Sequence, residues 1–196
     1  RAGSTYEDSM EAAERAAKQQ GWTLLSDSSW PGYTDWPLQV MAGYVQMADE
    51  AARQIEHPPT HVLLQAGVGG LAAAVAAYVR SIWGDTPQIV VIEPKAAPAL
   101  IESILAGEVV TTKGPASAMG RLDCKTPSMV ALAGLARDAD LFLTLGEAEV
   151  AEAAALLAKM GLATSRSGGA GLAALFWRLA TVYGTVQEHS GVVRMH

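Results

Sequence analysis

Residues 60–93 read THVLLQAGVGGLAAAVAAYVRSIWGDTPQIVVIE. His61 to Gln65 is a short apolar run of strand type. The segment Gly70 to Trp83 is rich in alanine over a length that suits a helix, and Gln88 to Glu93 (QIVVIE) is a second buried-strand run. Strand, glycine turn, helix and strand within residues 61–93 make a βαβ unit. Such units build parallel sheets, so the expected fold is a three-layer α/β domain, a parallel sheet with helices on both faces.

The turn between the first strand and the helix is Gly67-Val68-Gly69-Gly70. A helix start leaves backbone N–H groups without partners and carries the positive end of the helix dipole. Glycines let the backbone come close to an anion, so this turn has the makings of a phosphate cradle. Two other readings stay open on the residues alone. One is a tight turn with no ligand. The other is a dinucleotide site, because Gly67, Gly69 and Ala72 satisfy G-x-G-x-x-G/A and Glu93 ends the next strand, where a ribose-binding acid would stand. Against NAD, about sixty residues precede the turn, whereas that fingerprint belongs to the first βα unit of its domain.

Outward from the unit, Ser4 and Glu7 have capping-box spacing, Ser9 to Gln20 reads as a helix and Gly21 stops it. Trp22 to Leu25 is a short strand candidate. The segment Ser26 to Pro37 gathers Ser, Asp, Pro and Gly with Trp30, Tyr33 and Trp36, as expected of a loop packed on its own side chains. Val40 to Ile55 has helical spacing and is ended by His57-Pro58-Pro59. Ala97 to Ala106 reads as a helix closed by Gly107, Met129 to Ala136 as a short helix, Leu141 to Leu145 as a strand, and Glu147 to Met160 as a helix. The polar stretch 111–128 is too long for an idle connector. A second glycine turn, Ser167 to Gly171, precedes a helix whose Leu172, Leu175, Phe176, Leu179 and Tyr183 share a stripe. That turn suits either an anion or close helix packing.

Half of the 196 residues are hydrophobic, enough for one α/β domain over residues 1–196. The formal net charge is −6 and no basic cluster is interleaved with aromatics, which argues against a nucleic-acid partner. Cys124 is the only cysteine, and the alanine-rich apolar stretches fall short of the ~20 residues a membrane helix needs. A cytoplasmic protein with no membrane partner is the expectation. Because the chain opens on Arg1 and closes on Val192-Val-Arg-Met-His196, we expect a piece of a longer, two-domain polypeptide.

Other chemistry-bearing residues each have a plainer reading beside the functional one. Asp8, with Glu7 beside it, could reach a site from the first helical turn, where acids are also favoured by the dipole. Cys124 next to Lys125 could be a nucleophile or a packing residue. His57, His61, His189 and His196 have no ligand spacing, and no metal site is expected.

In this order and spacing, several stretches carry a family resemblance: Tyr6-Glu-Asp-Ser9, Trp30-Pro-Gly-Tyr33, Gly43-Tyr44 with Met47-Ala-Asp-Glu-Ala51, Pro59 to Gly69, Val91-Ile-Glu-Pro94, and Ser167 to Leu172. The chain resembles the large-domain portion of the pyridoxal-phosphate enzymes of the tryptophan-synthase-β superfamily (fold type II), in particular the diaminopropionate ammonia-lyases. The resemblance implies that Gly67, Val68, Gly69 and Gly70 bind the phosphate of pyridoxal 5'-phosphate. It also implies α,β-elimination on a small amino acid such as 2,3-diaminopropionate to give pyruvate and ammonia, with a homodimer as the full-length enzyme. Asp8 becomes the substrate-contacting, catalytic candidate, with Glu7 second. An NAD-binding oxidoreductase domain and a non-catalytic ligand-binding module are the alternatives.

The sequence departs from the family pattern in three places. None of Lys18, Lys95, Lys113, Lys125 and Lys159 lies in a matching motif, so the imine-forming lysine is expected outside this chain, and the chain alone should not turn over. The family's Ser-Gly-Glu-Ser-Gly is Thr164-Ser-Arg-Ser-Gly168 here, which puts Arg166 in place of an acid and leaves the substrate open. The group meeting the pyridine nitrogen would lie beyond His196. Related dehydratases hold a cation near a Glu-Pro motif; here Glu93 is kept but Pro98 and Ala99 supply no further carboxylate, so again no metal is expected.

Overall fold

The computed structural model describes residue 3, residues 6–182 and residues 192–194. The expected cap at Ser4 and the stripe position Tyr183 lie outside the described residues. Two helices, α1 (Tyr6–Gln20) and α2 (Asp35–Gln54), come first. The sheet region follows: β1 (His61–Gln65), α3 (Gly70–Trp83), β2 (Gln88–Pro94), α4 (Ala99–Ala106), α5 (Met129–Asp138), β3 (Leu141–Leu145), α6 (Glu147–Lys159), α7 (Ala170–Val182) and β4 (Val192–Arg194). The sheet runs β1-β2-β3-β4. β1 pairs with β2 and β2 with β3 in parallel, with Leu64 beside Val91 and Ile92 beside Leu143. β4 runs antiparallel along β3, an addition to the expected parallel sheet.

Alternation along the strands sends side chains into two cores. Leu64, Ile89, Val91 and Phe142 pack with α2, α3, α4 and α5 on one face. Val90, Ile92, Leu141, Leu143 and Leu145 pack with α6 and α7 on the other. This is the three-layer arrangement that the βαβ pattern dictates.

Two local expectations fail. Trp22 to Leu25 forms no strand, since Trp22 and Leu25 are 67% and 64% exposed and no strand among the described residues lies alongside. The segment is pinned instead by the Tyr33 hydroxyl, which donates to the Leu24 carbonyl at 2.7 Å and accepts from the Ser26 N–H at 3.1 Å. In α7 the buried face is Ala170, Ala173 and Ala174, while Leu172 and Leu175 of the expected stripe are exposed. Gly171 explains the choice. A Cβ there would stand 3.2 Å from the Leu63 carbonyl oxygen, so the helix lies against β1 too closely for a leucine face. The fourth helix also starts later than expected, because Pro98 disfavours a helical conformation at Ala97.

In the loop between α1 and α2, Trp30 and Tyr33 stack with ring centroids 4.3 Å apart, so the self-packed reading holds for those two rings.

Candidate functional site

Parallel α/β sheets bind ligands beyond the carboxyl ends of their strands. A cleft of about 480 Å³ opens at that end of β1. Its floor is the glycine turn, Gly67 to Gly70, running into α3. Its walls come from four other parts of the chain: Tyr6 of α1, Asp27, the 120–124 arm, and Ser165, Ser167 and Gly168 ahead of α7. The structure therefore brings both glycine turns of the sequence to one cavity.

The turn is built for a close approach. Gly69 sits at the cap position of α3 with φ +97°, a left-handed conformation that L side chains resist. A Cβ on Gly67 would lie 3.1 Å from the Arg121 carbonyl oxygen and 3.1 Å from the Cys124 sulfur. The first N–H groups of α3 have no carbonyl partner within their own helix. A bare backbone cradle at a helix N-terminus fits an anion of phosphate type.

Its position is held by buried hydroxyls. The Ser128 N–H donates to the Val68 carbonyl at 2.9 Å. Ser128 Oγ accepts from the Ser29 N–H at 3.1 Å and lies 2.7 Å from Ser29 Oγ, which in turn accepts from the Val130 N–H at 2.8 Å. Both serines are buried. The pair ties the loop after Asp27, the start of α5 and the glycine turn into one unit.

Two groups lining the cleft, the Cys124 thiol and the Tyr6 hydroxyl, are held in their neutral forms. Burial, then the neighbouring carboxylates of Asp27 and Glu7, pushes the Cys124 thiol up to about 12, against a weaker opposing hydrogen bond from the Val68 N–H. Such a thiol packs rather than attacks. Burial also holds the Tyr6 hydroxyl above its ordinary range, with Asp27 and Cys124 adding to the effect and a bond to Ser26 opposing it.

Asp8 is exposed on α1 and does not line the cleft, whereas Tyr6, two residues earlier, does. Positions two apart on a helix face different directions. Glu7 is turned toward the 120–125 arm and accepts the Lys125 N–H at 3.1 Å. Asp27 is the acid on the cleft wall. Sequence reasoning passed over it inside a loop read as self-packing. Arg166 is exposed, and its neighbours Ser165 and Ser167 face the cavity instead. The described residues include all five lysines, none of which lines the cleft. No group of three metal-ligating side chains occurs among the described residues.

The dinucleotide reading fails on Glu93. Its carboxylate is fully buried and accepts the Leu100 and Ile101 N–H groups at 2.7 and 2.9 Å, capping α4. Burial, only partly offset by those bonds, pushes it up to about 8. It is not available to a ribose.

The family described as "Pyridoxal-phosphate dependent enzyme" matches residues 1–194. The chain belongs to that family. Pyridoxal 5'-phosphate is thus the cofactor for which this fold is shaped, and the bare turn at Gly67 to Gly70 fits its phosphate. Among curated relatives, diaminopropionate ammonia-lyase of Escherichia coli K12 is 37% identical over 130 residues, which cover 63% of this chain and 32% of that protein. The biosynthetic L-threonine dehydratase of Bacillus subtilis is 29% identical over 109 residues, 56% of this chain and 24% of that one. Among solved structures, holo diaminopropionate ammonia lyase from Escherichia coli superposes with a TM-score of 0.80 at 29% identity, over 92% of this chain and 49% of that chain. The matched region spans about a third of the length of the diaminopropionate ammonia-lyase it matches. The expected family, the α/β fold and the cofactor stand.

Proposed function

We propose that this chain is most of the larger α/β domain of a cytoplasmic, homodimeric ammonia-lyase that eliminates ammonia across the α and β carbons of 2,3-diaminopropionate or a near relative. The observation that carries the reading is the glycine turn. Its backbone is too closely approached at Gly67 to carry a side chain and is left-handed at Gly69, in a chain whose family uses pyridoxal phosphate. Similarity to diaminopropionate ammonia-lyase over 63% of the chain supports the substrate class. On this reading residues 1–196 are one domain, and the imine-forming lysine comes from elsewhere in the protein.

When bound, the cofactor supplies an electron sink for the pair left on the substrate's α-carbon. The chain's own residues bind and orient. Gly67, Val68, Gly69 and Gly70 hold the phosphate through backbone N–H groups and the dipole of α3. Asp27, on the wall, accepts hydrogen bonds from a substrate ammonium or holds a proton taken from it. Ser165 and Ser167, beside the start of α7, can donate to a carboxylate. Asp8 is kept as the catalytic acid that the resemblance implies; its exposed place on α1 sets it against Asp27 in a direct comparison.

The test is pyruvate release by the protein that carries this chain. With 2,3-diaminopropionate it should form pyruvate faster than it forms pyruvate from serine or 2-oxobutyrate from threonine, and Asp8→Asn and Asp27→Asn show which carboxylate the reaction needs. A protein that forms no 2-oxo acid from any of these, and is thermally stabilised by NADH, contradicts the reading.

A further inference from the structure

Lys125 lies in the long polar arm, outside every motif that the function absorbs, yet its ammonium is fully engaged. Nζ donates to the Ala96 carbonyl at 2.9 Å, to the Pro115 carbonyl at 2.9 Å and to Asp123 Oδ1 at 2.6 Å. An ammonium has three N–H donors, and three oxygens receive them. The ion pair is sheltered, with Lys125 and Asp123 side chains 17% and 18% exposed. The second carboxylate oxygen of Asp123 accepts the Ser117 N–H at 3.1 Å. The Lys125 backbone is tied as well: its N–H to Glu7 of α1, and its carbonyl to the Thr112 N–H at 2.8 Å.

One residue thus joins α1, the turn after β2, the 112–117 arm and the 120–125 arm. That last arm is the cleft wall that crowds Gly67, through Arg121, Leu122 and Cys124. Between Gly107 and Ser128 no helix or strand fixes the chain, so cross-links of this kind set its course. Two backbone carbonyls and a carboxylate are also an oxygen set of the type that binds hard cations.

We propose that Lys125 is a positioning residue whose ammonium acts as a tethered internal cation, holding the 112–125 arms against the turn after β2 and thereby holding the phosphate cradle closed. The proposal rests on the reading that the cleft takes the phosphate of pyridoxal phosphate. Removing the side chain should leave an oxygen cage that a free monovalent cation can fill.

The experiment is titration of the Lys125→Ala protein with pyridoxal phosphate, followed by cofactor absorbance and by thermal stability. Titrations are run in tetramethylammonium, potassium or ammonium chloride at equal ionic strength. In tetramethylammonium, affinity should fall roughly tenfold or more. Potassium or ammonium should restore most of it, while the unsubstituted protein responds equally to all three salts. A merely structural role would lower the melting temperature without this cation selectivity. Affinity equal to the unsubstituted protein's, or a loss that no cation repairs, overturns the proposal. If Lys125→Ala does not fold, Asp123→Asn takes its place: it should bind pyridoxal phosphate more weakly in every salt, and unchanged affinity overturns the proposal. An unsubstituted protein that binds no pyridoxal phosphate refutes the underlying reading instead.

Discussion

The backbone N–H of Ser128 donates to the carbonyl of Val68 at 2.9 Å, across sixty residues of chain. That bond fixes the middle of the glycine turn against the start of α5. Ser29, whose hydroxyl lies 2.7 Å from that of Ser128, extends the hold to the loop that carries Asp27. The two hydroxyls are buried, and each also accepts a backbone N–H, so removing one takes a partner from the other hydroxyl and leaves a buried backbone N–H without its acceptor. Ser128→Ala and Ser29→Ala should each cost about 1–3 kcal/mol of stability, and the double variant less than their sum, in denaturant melts.

Gly67→Ala tests how tightly the cradle is closed. A methyl group at residue 67 meets the Arg121 carbonyl oxygen and the Cys124 sulfur at 3.1 Å, and the Leu122 Cα at 3.2 Å. Two of these three atoms are backbone and cannot step aside cheaply. The expected result is a loss of about 1–3 kcal/mol in stability. Weaker binding of pyridoxal phosphate should accompany it. Titration and thermal melts of the same preparation measure both.

Glu93 makes stability fall with rising pH in a defined window. Its folded-state value is raised, chiefly by burial, from an ordinary 4.5 to about 8. Between those limits the folded chain holds a proton that the unfolded chain has released, so this group's contribution to stability declines as pH rises from about 4.5 to about 8. Glu93→Gln keeps an acceptor for the start of α4 and removes the titration. Denaturant melts at several pH values should show a flatter dependence in that variant across the window.

The single cysteine should be slow. With its thiol pushed up to about 12, mainly by burial, Cys124 carries little thiolate near neutrality. Alkylation by iodoacetamide at pH 8 should lag far behind the rate in denaturant. A rate equal to that of the unfolded chain would show that the arm carrying Cys124 opens readily.

The sheet was legible because βαβ patterning is local: His61 to Gln65, Gly70 to Trp83 and Gln88 to Glu93 appear almost at their expected bounds. The glycine turn was legible for the same reason. What escaped depends on contacts between distant residues. Trp22 to Leu25 has strand chemistry but no strand beside it, and α7 turns its alanines inward because Gly171 rests on Leu63. Asp27 joins the site only when its loop folds over the turn, with its carbonyl oxygen 3.4 Å from where a Cβ of Gly70 would lie. The three oxygens around Lys125 come from residues 96, 115 and 123 and share no sequence pattern.

On the proposed reading, the turn Gly67 to Gly70 grips the phosphate of pyridoxal phosphate. The most direct test of that grip is a comparison of pyridoxal phosphate with unphosphorylated pyridoxal by absorbance titration, in the unsubstituted protein and in Gly69→Asp. A Cβ at residue 69 must adopt φ near +97° and meets Leu100 and Ala131 at 3.3 Å, and the added carboxylate repels a phosphate dianion. The unsubstituted protein should bind the phosphorylated form far more tightly, and the variant should lose this preference. Equal binding of the two compounds, or unchanged binding by a folded Gly69→Asp protein, would contradict that reading.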